Sequence, residues 1–186
     1  MKPEQLDHVL RAVDEATGHE HRFLLIGSQA ILAHLDPRYF SSDVLFFSRE
    51  IDIALLDEPQ RESEAVADII DKNFGDASIF DRTYGYHADG VEVATAILAP
   101  GWRDRLIPYQ SGDVARDTFM ALSYEDLLIS KLCAGRDKDI DFVKGMAAIG
   151  HPRLSEVERL LETLPDSANK HRAMAWWSAF SAVNDR

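Results

Sequence analysis

The sequence predicts an α/β (α+β) chain in which a β-sheet is flanked by helices and followed by a helical C-terminal region. Up to about residue 120, short apolar runs typical of strands alternate with helical patterns. Beyond that point the patterns are all helical, and Ser123 is expected to cap the first of these helices. The later helical patterns cover about 137–149, 154–164 and 168–183. We therefore expect an α/β core over 1–120 and a helical region over 121–186, packed as one unit.

The N-terminal elements are predicted by apolar spacing and by turn residues. Apolar residues recur at helical spacing between residues 3 and 17, which predicts an amphipathic helix. The run 21–26 is short and apolar, so we expect a buried strand that ends at Gly27. Ser28 can then cap a helix over 29–35.

The middle of the chain predicts a strand, a helix and a hairpin. Residues 50–55 alternate between two kinds of side chain, as a strand with two different faces does. A helical pattern covers residues 58–72. Strand-like runs at 83–88 and 91–98 flank the Asp-Gly pair at 89–90, which is a strong hairpin signal.

Composition narrows the classes of function. The formal net charge is -12, which argues against non-specific nucleic-acid binding, because that binding depends on cationic contacts to phosphates. The single cysteine, Cys133, cannot form an internal disulfide, and this suits a reducing compartment. We find neither a signal-peptide pattern nor an apolar run of about 20 residues, so we expect a cytoplasmic protein without a membrane partner.

A glycine-serine pair lies where the first strand meets the next predicted helix. Helix N-termini present free backbone N–H groups and a positive dipole end, and glycine lets a ligand approach the backbone closely. Gly27 and Ser28 are therefore candidate phosphate contacts. The pair fits equally well an ordinary strand-to-helix turn with a serine cap, and the sequence leaves both interpretations open.

Three acidic residues are candidate metal ligands. Glu50 and Asp52 are two positions apart on a predicted strand, so they share one face at a separation of roughly 6.6 Å. Like charges so placed are unfavourable without a cation between them, and hard oxygen ligands suit magnesium bound together with phosphates. Glu92, between two valines on the next strand, could supply a third carboxylate. The alternative is that these acids simply face solvent.

Taken together, the glycine-serine turn, the acid-apolar-acid strand and the apolar-acid-apolar strand resemble the DNA polymerase β-like nucleotidyltransferase superfamily. The gap between Ser28 and Glu50 is long, and in this respect the sequence resembles the branch that contains AbiEii-type toxins and the bacterial DUF6036 family. Two later segments also resemble DUF6036 proteins: PGWRDRL at 100–106 and SKLCAGRDKD at 130–139. The resemblance covers about residues 20–150 and implies a nucleotidyltransferase-type mixed sheet.

The resemblance implies a role for each matching residue. Glu50, Asp52 and Glu92 would be catalytic and would bind Mg2+, with Mn2+ as the alternative ion. Nucleotide-binding residues would be Gly27, Ser28, Lys131 and Arg136. The implied reaction is attack of an acceptor hydroxyl on the α-phosphorus of a nucleoside triphosphate, with release of pyrophosphate.

Several functional readings remain open from the sequence. The first is a metal-dependent nucleotidyltransferase that acts as the toxin of a toxin–antitoxin pair. Its acceptor would be RNA, a protein or a small molecule, and its partner would be a cognate antitoxin. Glu50 stands where the family more often has Asp, so the second is a catalytically degenerate protein that binds a nucleotide or a partner. A third is an acidic scaffold that covers a basic protein. Lys131 and Arg136 could also serve as ion-pair partners of Asp137 and Asp139.

Overall fold

The structure of the 186-residue chain is a computed structural model. It describes residues 1–34, 48–57, 59–109, 117–150 and 153–184. The chain forms two compact units, Met1–Thr95 with Leu106–Leu122, and Ala96–Arg105 with Ser123–Arg186. The sequence-based division at residue 120 placed residues 96–105 in the α/β core, whereas here they belong to the helical unit. The division into domains stays a prediction.

The first unit is built on a five-stranded mixed sheet with the strand order β3-β2-β1-β5-β4. Its strands are β1 (Phe23–Leu25), β2 (Glu50–Leu55), β3 (His87–Val91), β4 (Ile107–Pro108) and β5 (Phe119–Ala121). Strand β1 pairs antiparallel with β2 and parallel with β5, while β2 pairs parallel with β3 and β4 pairs antiparallel with β5. The mixed sheet and its flanking helices confirm the predicted fold class.

In the described part of this unit, three α-helices accompany the sheet: α1 (Pro3–Thr17), α2 (Gln60–Phe74) and α3 (Ile79–Tyr84). Helix α2 lies so close to β3 that a Cβ added at Gly90 would be 2.3 Å from the backbone oxygen of Ala67. Gly90 pairs with Ile53, which is fully buried, so α2 covers the face of the sheet that carries Ile53. The alternate positions of β2 and β3 therefore face away from α2.

The predicted hairpin is wrong. Residues 89–90 lie inside β3 and pair with Asp52 and Ile53, while residues 83–84 end helix α3. Gly90 is not needed for a turn, because its φ is not positive. It is needed because a side chain there would overlap helix α2. The pattern that resembled a hairpin thus reflects close helix–strand packing.

The predicted serine cap is also wrong. Gly27, with φ 51°, occupies the N-cap position, and Ser28 is the first residue of a short 3-10 turn, Ser28–Ala33. The last residue of the helix predicted over 29–35 lies outside the described residues. The helix over residues 3–17 and the strand over 50–55 are confirmed.

The second unit is helical. Its helices are α4 (Tyr124–Ala134), α5 (Asp137–Gly150), α6 (Leu154–Thr163) and α7 (Ala168–Asn184), as the C-terminal patterns predicted. Ser123 caps α4 by accepting a hydrogen bond from the Asp126 N–H. Cys133 is buried on α4, and burial raises the pKa of its thiol to about 11. Within the described ranges, no helix has the length and apolar character that crossing a membrane requires.

Candidate active site

Strands β2 and β3 bring four polar side chains to one face of the sheet. Glu50 pairs with His87 and Asp52 pairs with Asp89 in the parallel register. Because side chains two positions apart on a strand point the same way, these four share the face opposite α2. Neighbouring strands lie about 4.7–4.9 Å apart, so the side chains of directly paired positions can act together.

Three of these side chains form a group that could hold a cation. Glu50, His87 and Asp89 each offer one ligand atom, and these atoms all lie within 4.8 Å of one another. His87 is buried, and the two carboxylates are half-buried. The Nε2 atom of His87 lies 3.8 Å from Oδ2 of Asp89. Ligand atoms on one magnesium ion are at most about 4.2 Å apart, so side-chain rotation would bring these three atoms within reach of one ion.

The electrostatic environment of Asp89 points the same way. Burial raises the pKa of the Asp89 carboxyl above its ordinary value of 3.8, although His87 opposes that shift. The nearby negative charges of Glu50, Asp71 and Asp76 raise the pKa further. Negative charge is therefore concentrated at this end of β3, and a bound cation would relieve the repulsion.

Gly27 fits tightly against Asp52. The backbone N–H of Ile26 donates to the Asp52 carbonyl oxygen at 3.0 Å, which joins the turn to β2. A Cβ added at Gly27 would lie 1.9 Å from Oδ2 of Asp52. The glycine-serine turn and the acidic strand, which the sequence offered as separate candidates, are thus brought together. Ser28 follows directly and is half-buried.

Glu92 takes a different position from the one that the sequence indicated. It follows the last residue of β3, and its carbonyl oxygen accepts hydrogen bonds from the Thr95 N–H at 3.0 Å and the Thr95 hydroxyl at 2.7 Å. Among the described residues, the ligand group contains Asp89 and does not contain Glu92. Sequence reasoning missed Asp89 because it assigned residues 89–90 to a turn. The alternation of polar His87 and Asp89 with small Ala88 and Gly90 was the available signal.

The comparisons with known proteins decide the family. The family described as "Nucleotidyltransferase of unknown function (DUF6036)" matches residues 4–186, nearly the whole chain. The chain belongs to the DUF6036 family.

A solved structure of the antibiotic-resistance factor ANT(2″)-Ia is also similar, with 13% sequence identity and a TM-score of 0.46. That similarity covers 100% of this chain and 97% of the other chain. No curated protein matches the sequence.

In this DUF6036 protein, the two predicted cationic contacts belong to the second unit and share one carboxylate. The Lys131 Nζ lies 3.7 Å from Oδ1 of Asp139, and the Arg136 Nε donates to its Oδ2 at 2.6 Å. Burial raises the pKa of the Asp139 carboxyl, but Arg136 and Lys131 together lower it below its ordinary value. The ion pairing of Lys131 and Arg136 with Asp139, which the sequence offered as an alternative, is therefore present. The role of the two residues in nucleotide binding stays a prediction.

The segment 100–106 of this DUF6036 protein is held by an arginine-carboxylate pair. Arg105 donates to both oxygens of Asp126, from Nε at 2.8 Å and from Nη2 at 2.7 Å. The same guanidinium donates to the carbonyl oxygens of Ala99 and Pro100, at 3.2 and 3.1 Å. Asp126 is fully buried, so this bidentate contact fixes the segment to helix α4.

Proposed function

We propose that this DUF6036 protein is a metal-dependent nucleotidyltransferase that moves a nucleotidyl group from a nucleoside triphosphate to a hydroxyl acceptor. The observation that carries the proposal is one sheet face with Glu50, Asp52 and Asp89, against which the Gly27 turn is packed. We assign to Asp89 the third acidic position for which the sequence indicated Glu92.

The residues present fit a divalent cation. Carboxylate oxygens are hard ligands, and burial together with the neighbouring charges of Glu50, Asp71 and Asp76 raises the pKa of Asp89. Glu50, Asp52 and Asp89 would hold the ion, Mg2+ or Mn2+. When bound, the cation would neutralise charge on the phosphates and orient them.

The chain's own residues would position the reactants. The backbone at Gly27 and Ser28 would contact the phosphates, because a glycine turn allows close approach of a ligand. Asp89 would accept the proton of the acceptor hydroxyl as that hydroxyl attacks the α-phosphorus and pyrophosphate leaves. Catalysis of this type consists mostly of positioning and electrostatic stabilisation.

The resemblance to AbiEii-type toxins extends the proposal to a physiological role. The protein would be the toxin of a bacterial toxin–antitoxin pair and would act in the cytoplasm. Its acceptor would be RNA, a protein or a small molecule, and its partner a cognate antitoxin. This part of the proposal is supported by the sequence resemblance alone.

The test is transfer of label from α-labelled nucleoside triphosphates to pools of RNA, protein and small-molecule acceptors, with Mg2+ or Mn2+. We expect transfer by the wild type and a loss on the order of 10²-fold or more in Asp52→Asn. Asp57→Asn is the matched control, since Asp57 is an exposed aspartate near the end of β2 that pairs with Arg22. Nucleotide binding without transfer would support the degenerate alternative, and absence of both would contradict the proposal.

A further inference from the structure

We propose that His87 is a further metal ligand of this site, so that its ring nitrogen joins the carboxylate oxygens of Glu50, Asp52 and Asp89 around the cation. The inference rests on the proposed function for the presence of a cation at this face. It adds a ligand of a different chemical kind, and with it a preference for Mn2+ over Mg2+.

The first support is the position of the His87 ring. The residue is only 8% exposed, so the ring is held within the structure. One of its nitrogens lies within 4.8 Å of a carboxylate oxygen of Glu50 and of one of Asp89. A buried imidazole nitrogen beside two carboxylates can complete the ligand set of a cation.

The second support is the pair of carboxylates on either side of the ring. Nε2 lies 3.8 Å from Oδ2 of Asp89, on the side of the Glu50 and Asp89 carboxylates. Nδ1 lies 3.4 Å from Oδ1 of Asp81, on the opposite side. A histidine that binds a metal commonly donates its other ring N–H to a carboxylate, which fixes the ring's tautomer and orientation. Here the supporting carboxylate would be Asp81, the imidazole His87, and the metal would lie beside the Glu50 and Asp89 carboxylates.

Asp81 is itself held in place by two hydrogen-bond donors. Arg49 Nη2 donates to Oδ1 of Asp81 at 3.0 Å, and the Ala77 N–H donates to Oδ2 at 3.3 Å. A carboxylate fixed beside Nδ1 orients the His87 ring, favours a proton on Nδ1 and leaves the lone pair of Nε2 for the cation.

A cation on the other side of the ring is less compatible with the contacts. Asp76, Asp81 and His87 also offer ligand atoms within 4.8 Å of one another. The guanidinium of Arg49 already neutralises Asp81 there, so a second positive charge would be repelled. The geometry therefore places the ion beside Nε2, between Glu50 and Asp89.

An imidazole ligand changes which ion the site selects. Magnesium prefers oxygen ligands, whereas imidazole nitrogen suits transition metals, whose affinities rise from Mn2+ along the first row. We therefore expect this chain to bind Mn2+ more tightly than Mg2+. An all-carboxylate site would show a smaller difference.

Pulsed electron paramagnetic resonance of bound Mn2+ tests the ligand directly. The full-length protein is titrated with Mn2+ alone and with Mn2+ plus pyrophosphate, which contains no nitrogen. We expect electron spin-echo modulation from a directly coordinated nitrogen in the wild type and its loss in His87→Gln. Modulation that is absent from the wild type with Mn2+ bound, or that persists in His87→Gln, would overturn the proposal.

Metal affinities supply a second readout that does not depend on activity. His87→Gln should weaken Mn2+ binding about 10-fold more than Mg2+ binding, because glutamine offers only an oxygen or a poor nitrogen ligand. Asp81→Asn should weaken Mn2+ binding about 10- to 100-fold, as loss of a supporting carboxylate does. His171→Gln is the control, since His171 is an exposed histidine of the second unit that pairs with Asp166. Equal losses for both ions in His87→Gln would contradict the assignment.

These results separate the two proposals. Mn2+ bound without nitrogen modulation, in a protein that transfers label, would overturn the His87 assignment and leave the transferase proposal intact. Nitrogen modulation without label transfer would support His87 as a ligand and count against the transferase. Failure of the wild type to bind Mn2+, with or without pyrophosphate, would overturn both.

Discussion

At Gly27 the backbone conformation and a neighbouring carboxylate both exclude a side chain. The φ of 51° is in the left-handed region, and a Cβ would lie 1.9 Å from Oδ2 of Asp52. Gly18 has a similar conformation, with φ 87°, but nothing lies within 4 Å of its added Cβ. A comparison of substitutions at the two glycines therefore distinguishes the effect of backbone strain from the effect of contact with Asp52.

Gly27→Ala should displace Asp52 and lower nucleotidyl transfer on the order of 10²-fold, since small misplacements at an active site have effects of this size. Gly18→Ala should destabilise the fold by about 1–2 kcal/mol through backbone strain alone and leave transfer per folded molecule unchanged. Transfer assays and urea unfolding of both variants check this. Equal activity of the two variants would show that contact with Asp52 is unimportant.

Asp89 is a residue whose charge disfavours the fold. Because its pKa is raised in the folded chain, the folded state holds its proton more tightly than the unfolded state does. The free energy of unfolding therefore falls as the pH rises from 3.8 through the raised pKa, and the deficit is complete above it. Residues that reduce stability in this way are common at functional sites.

Asp89→Asn should accordingly raise the free energy of unfolding near neutral pH, with no gain below the ordinary aspartate pKa, while nucleotidyl transfer and metal binding are lost. Glu92→Gln should leave all three nearly unchanged, because Glu92 lies outside the ligand group. Urea unfolding at several pH values, without metal, measures the stability difference. A loss of transfer in Glu92→Gln with retention in Asp89→Asn would reinstate the sequence-based assignment.

At the scale of elements, periodicity predicted the long helices and the strand β2 because each has enough residues to repeat its pattern. Strands β4 and β5 have only two and three residues, too few for a period-2 pattern to be recognised. Strand β3 was predicted as parts of two strands with a turn between them, for another reason. Its Asp-Gly pair has the composition of a hairpin turn, and only the packing of α2 on Gly90 explains the glycine.

Arg105 links the segment before β4 to helix α4. The Asp126 carboxylate is 0% exposed and accepts hydrogen bonds from Arg105 and from the Ser123 hydroxyl. The hydrogen bond to Asp126 raises the pKa of Arg105 despite partial burial. This contact gives Arg105 a structural role in the segment 100–106.

Arg105→Met should lower the free energy of unfolding by about 3–5 kcal/mol, because it leaves a buried carboxylate without its partner. Arg105→Lys should have a smaller effect, since it keeps the charge but loses the bidentate geometry. Urea unfolding with both variants measures the difference. A loss below about 1 kcal/mol in Arg105→Met would show that Asp126 finds another partner or takes up a proton.

At the scale of the whole molecule, the candidate residues are divided between two compact units. Gly27, Glu50, Asp52 and Asp89 belong to the first, while Lys131 and Arg136 belong to the second. The sequence indicated the turn and the two acids of β2 because strand alternation is local. The proposed third acid, Asp89, and the proposed ligand His87 depend on the pairing of β2 with β3, which links residues far apart in sequence.

The most direct test of the site is the position of Mn2+ in crystals of the full-length protein grown with a non-hydrolysable nucleoside triphosphate analogue. We predict an anomalous scattering peak about 2.0–2.3 Å from carboxylate oxygens of Glu50 and Asp89, on the face of the sheet opposite α2. A peak bound by Glu92 without Asp89, or bound nucleotide with no metal at this face, would contradict the account.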